Sequence, residues 1–127
     1  MDPVLHAVSR LMQCPQADNR GLSADVTEAL AGEPRLSMAT RLGLVALASR
    51  IENGDPCGDS LRARTSSEHL LPQLLATLSR DDGPRAIEAL LVCAPALREM
   101  AQDLARDRDP YALLPLALLE LLASRLH

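Results

Sequence analysis

The stretch Asn53-Gly54-Asp55-Pro56-Cys57-Gly58-Asp59-Ser60 is where this sequence comes nearest to a ligand site. Oxygen-bearing side chains fall at its first, third and seventh positions and Gly58 at its sixth, the spacing of a calcium-binding loop. The fifth position is Cys57, a poor calcium ligand, and the twelfth is Arg64, where a bidentate glutamate should stand. A guanidinium at that point puts positive charge where the ion needs negative charge. The expectation is therefore a polar turn built from Gly, Asp and Pro, with no metal. Cys57, set among glycine and aspartate, is the expected exposed and reactive thiol.

Other chemistry is thinly supported. His6, His69 and His127 are scattered, with no second ligand at helical spacing, so no metal site is expected. Cys14, Cys57 and Cys93 are an odd number without paired spacing, which fits free thiols in a reducing cytoplasm better than a disulfide framework. Cys93 is expected as a small buried hydrophobe. A catalytic nucleophile needs a paired base, and no Ser, Cys or Thr here sits in a nucleophile elbow or a glycine-rich phosphate loop. Neither a catalytic residue nor a cofactor is expected. Glu120 is the one carboxylate on a leucine-rich helix. It becomes a functional candidate only if fully buried; the plain expectation is that it reaches solvent or pairs with an arginine.

The elements around these residues read as helices. Asp2-Pro3 starts a first helix with Val4, Leu5, Val8, Leu11 and Met12 on one face, ending before Cys14-Pro15. Ser23 is the expected cap of a short second helix carrying Val26, Ala29 and Leu30, stopped by Gly32. Pro34 opens a third helix to about Glu52, with Leu36, Thr40, Leu44, Leu47 and Ile51 as its main face. Met38, Leu42 and Val45 lie on a different side, so this helix has two apolar faces. Gly43 near the main face marks a close approach of another helix. After the polar loop, Thr65-Ser66-Ser67-Glu68 has capping-box spacing before Leu70, Leu71, Leu74, Leu75 and Leu78, with Pro72 as a kink or the true start. Ile87, Leu90, Ala94, Leu97, Ala101 and Leu104 then recur in steps of three and four. Pro95 should divide or kink that segment.

The last nineteen residues, Asp109 to His127, hold eight leucines. At about 100° per residue these land on every side of the helix, so it must be covered all round. Pro115 at the sixth helical position is expected to bend it. Glu120 and Arg125 keep its apolar run short of the roughly 18–20 residues a membrane span requires. Two isoleucines and five valines leave little for strands. The fold expected is all-α: one helical domain over residues 1–127, a bundle of about five to seven short helices around a central leucine-rich C-terminal helix. A short α-solenoid is the alternative, because Leu70-Leu71-Pro72 with Leu75 and Leu78 echoes Leu113-Leu114-Pro115 with Leu118 and Leu121 forty-three residues on.

A net charge of −4 and a single aromatic residue, Tyr111, argue against nucleic acid as a partner. All thirteen basic residues are arginine, as in chains from GC-rich bacterial genomes. No basic-then-apolar leader is seen at the N-terminus, and a cytoplasmic location is expected. The leucine surplus points to a non-enzymatic interaction protein: an adaptor, chaperone or anti-activator. It self-associates, with a homodimer as the expected form, or holds a partner helix. The expected interface is Met38, Leu42 and Val45 with Leu114, Leu118, Leu121 and Leu122. A helical regulator with an aliphatic ligand cavity between helices is the alternative.

Overall fold

The computed structural model describes residues 3–12, 20–54, 61, 63, 70–80 and 83–126. Among them 85% are helical, with six α-helices and no strand, so the all-α expectation holds. The helices are α1 (Pro3–Met12), α2 (Leu22–Leu30), α3 (Met38–Glu52), α4 (Leu70–Ser79), α5 (Gly83–Arg106) and α6 (Leu113–Leu126), with a 3-10 turn at Pro110–Ala112.

The helices stack in two layers of three. In one, α1 lies between α2 and α4; in the other, α6 lies between α3 and α5. The layers join where α2 packs on α3, α1 on α6 and α4 on α5. Because α1 also touches α3, it meets four other helices, and this mutual packing is a bundle rather than a stack of sequential neighbours. Buried side chains from all six helices merge into a single aliphatic cluster, with Leu11, Leu44, Leu74, Leu90, Leu97 and Leu118 at or near zero exposure. Tyr111 is buried with them.

Each helix boundary has a local cause. Ser37, not Pro34, begins α3: its hydroxyl accepts from the Thr40 N–H at 3.2 Å, while Pro34 sits in the preceding turn. Ser23 does not cap α2. It is the second helical residue, and its N–H donates to Glu52 Oε1 at 3.3 Å, so a carboxylate from the end of α3 satisfies the start of α2. Gly21 supplies the left-handed turn before that helix, at φ 75°.

The prolines resolve by position. Asp109 accepts from the Tyr111 N–H at 2.9 Å and caps the 3-10 turn, after which the α-helix restarts at Leu113. Pro115 is thereby the third α-helical residue, where N–H groups have no intrahelical partner, and not the interior breaker that counting from Pro110 implies. Pro72 is the third described residue of α4, and the chain before Leu70 lies outside the described residues. Among the described residues Pro95 is plainly interior to its helix. Instead of dividing there, α5 continues as one 24-residue helix, and the Leu91 carbonyl lacks the donor four residues on. At its end Arg108 takes φ 56°, its N–H donating to the Ala105 carbonyl at 3.0 Å and that of Asp109 to Leu104 at 2.9 Å.

Candidate interaction surface

The seven expected interface residues separate on burial. Leu114, Leu118, Leu121 and Leu122 are at most 5% exposed and belong to the core of their own chain, so they offer no surface to a partner. This corrects their assignment. They form the i, i+4, i+7, i+8 stripe, the strongest on α6, and α1 lies against that helix. Met38 and Leu42 are 60% and 64% exposed, while Val45 is half-buried against the core. The second apolar face of α3 therefore narrows to Met38 and Leu42, flanked by Arg41, whose Nε is buried with no hydrogen-bond partner among the described residues.

Four further large apolar side chains are exposed: Leu91 and Val92 on α5, and Leu116 and Leu126 on α6. Sequence reasoning passed over them, though the signal was present. Leu91 and Val92 fall off the Ile87–Leu90–Ala94–Leu97 seam when the helix is stepped at about 100° per residue. Leu116 lies opposite the buried stripe of α6, and Leu126 is the last residue of that helix, beyond the stripe. All six exposed large apolar residues, among the described residues, thus sit on α3, α5 and α6.

Gly43 and Leu113 make the close approach expected between helices. A Cβ on Gly43 would collide with Leu113 Cδ2, so the glycine lets α3 and α6 come together. Glu120 locks the same pair. Its Oε1 accepts from the Thr40 hydroxyl at 2.8 Å and its Oε2 from the Ser37 N–H at 3.4 Å. Its acceptor atoms are engaged at the N-terminus of α3, where the helix dipole favours a carboxylate. Glu120 is half-buried: it keeps part of the solvent access expected of it, and this cap stands in place of the expected arginine.

A second concave feature lies on the other layer. A groove of about 560 Å³ runs between α1 and α2, bordered by His6 and Arg10 on one helix and Asp25 and Glu28 on the other. It is open and has charged walls, unlike the enclosed aliphatic cavity that the alternative reading requires. Cys93 is buried at 3% exposure, as expected. Cys14, Cys57, the segment 55–60, the Thr65–Glu68 box, His69 and His127 lie outside the described residues. Among the described residues no group of three His, Cys, Asp or Glu could hold a metal, and no helix is long and apolar enough to cross a membrane.

Fold and surface together define a two-layer all-α protein with one apolar-studded layer. No protein-family model, curated protein or solved structure matches the chain.

Proposed function

We propose that this chain is a non-enzymatic protein–protein interaction module, working as an adaptor, chaperone or anti-activator through the outer surface of the α3–α6–α5 layer. The observation that supports it is that, among the described residues, all six exposed large apolar side chains are on those three helices. Scattered apolar residues are ordinary on any surface, but their concentration on one layer is what an interface requires. The first occupant to test is a second copy of the chain, since closed symmetric dimers are the commonest soluble assemblies. A partner helix is the other candidate.

Light scattering after gel filtration, with refractive-index detection because Tyr111 is the only strong chromophore, gives the solution mass. The expected result is a dimer that dissociates in Leu42→Asp and in Val92→Asp. A monomer that also captures no protein in a form sensitive to those two substitutions would remove the reading.

A further inference from the structure

The two walls of the α1–α2 groove carry opposite charge, Arg10 on α1 and Asp25 and Glu28 on α2, with His6 one turn before Arg10. Between them the floor is small and apolar, formed by Ala7, Val26 and Ala29. At about 560 Å³ the groove is within the range of small-molecule sites, roughly 300–1,000 Å³.

Just one ion pair crosses it among the described residues. Arg10 Nη1 meets Asp25 Oδ2 at 3.2 Å, with the two side chains 36% and 60% exposed. A pair this open to water is held weakly and exchanges readily. The Glu28 carboxylate makes no ion pair among the described residues.

We propose that this groove binds a small aliphatic zwitterion of the amino-acid type. Its carboxylate replaces Asp25 on Arg10, and its ammonium sits between the released Asp25 and Glu28. The exchange conserves charge pairing on both walls. A simple carboxylate would free Asp25 and leave it facing Glu28 with nothing between them. A simple amine brings no carboxylate, so drawing Asp25 towards it would leave the Arg10 guanidinium without a counter-charge. The alanines of the floor leave room for a short branched chain, whose burial against Val26 adds the apolar contribution. This site is on the other layer from the proposed interaction surface and does not depend on it.

The experiment is a nuclear magnetic resonance titration of the isotope-labelled full chain with leucine. The comparison ligands are 4-methylpentanoate, which lacks the ammonium, and 3-methylbutylamine, which lacks the carboxylate. Leucine should move the Ala7, Val26 and Ala29 amides saturably, and each singly charged analogue should bind at least about tenfold more weakly. Arg10→Gln and Glu28→Gln should each lose about tenfold in leucine affinity, while Leu42→Asp leaves it unchanged. Absence of saturable shifts, equal binding of the analogues, or unaltered affinity in the Glu28→Gln variant would overturn the proposal. Glu28 is exposed and its carboxylate holds no ion pair among the described residues, so that variant folds whether or not Arg10→Gln does.

Discussion

The helices α1 and α6 occupy equivalent places, each the middle member of its layer and each packed on the other. Their inward faces are alike: α1 buries Val4, Leu5, Val8, Leu11 and Met12, and α6 buries Leu114, Leu118, Leu121 and Leu122. Their outward faces differ. On α1 the half-exposed positions are His6 and Arg10, as expected of a helix whose other side is water. On α6 the exposed positions are Leu116, Ala123, Arg125 and Leu126, with Leu119, Glu120 and Ser124 half-buried, so its outward side is mixed, with Leu116 the apolar residue that stands out. Core packing constrains only the inward side of either helix. The outward leucine of α6, Leu116, contributes nothing to the fold that α1 does not achieve with polar residues, and it is there that a reason other than folding has to be found.

The largest effects should be symmetric between the two helices. Leu11→Ala and Leu118→Ala each empty a site of 0% exposure, and each should cost about 2–5 kcal/mol in urea unfolding. A much smaller loss at Leu118 would mean that α6 is less central than α1 and would end the equivalence. Next comes the lock that holds α6 to α3. Removing the carboxylate in Glu120→Ala leaves the hydroxyl of Thr40, a residue 4% exposed, with Ser37 as its one partner among the described residues, and should cost about 1–3 kcal/mol. A smaller loss in Thr40→Val, with the two effects failing to add, would show that the two groups act as one unit.

Most of this architecture was readable because helical periodicity reports burial directly. The main face of α3, Thr40, Leu44, Leu47 and Ile51, is buried as its spacing requires, and so is the seam from Leu90 to Leu104. The glycine at 43 likewise signalled a close helix pair. What could not be read is long-range capping. Glu52 and Glu120 serve helices that begin at Leu22 and Met38, and nothing near Ser23 or Ser37 in the chain announces a carboxylate that arrives from another element. The interface was half legible for a related reason. On a helix with leucine all round, periodicity shows that two faces exist but not which one a neighbour takes. Leu114, Leu118, Leu121 and Leu122 turned into the core of their own chain, and the assignment to a partner failed there. Met38 and Leu42 lie on the weaker face of a helix whose stronger face was plain, and they emerged on the surface. The Cys57 loop lies outside the described residues, and its chemistry rests on sequence alone.

A smaller effect tests the turn that brings α6 back beside α5. Arg108 holds a left-handed conformation, at φ 56°, that costs an L residue more than glycine. Arg108→Gly should therefore stabilise the chain by about 0.5–1 kcal/mol, the gain being trimmed by the greater freedom of glycine in the unfolded state. Thermal unfolding would read this as a modest rise in midpoint, and a fall would show that the Arg108 side chain contributes more than its backbone costs.

The smallest change in stability is the one that separates the two helices most sharply. Leu116→Arg and His6→Arg make the same kind of substitution on outward positions of α6 and α1. Neither should alter monomer stability by more than about 0.5 kcal/mol, because neither side chain supports the core. On the proposed function, Leu116→Arg should nevertheless lower the solution mass or abolish partner binding, and His6→Arg should do neither. Measuring unfolding at a concentration where the wild type is monomeric keeps association from contributing to apparent stability. If both substitutions are silent in both assays, the outward Leu116 of α6 is surface like any other and the asymmetry between the layers carries no function. If Leu116→Arg destabilises the monomer itself, Leu116 is part of the fold, and the comparison with α1 has to be redrawn around Leu126 and the exposed pair Leu91 and Val92 on α5.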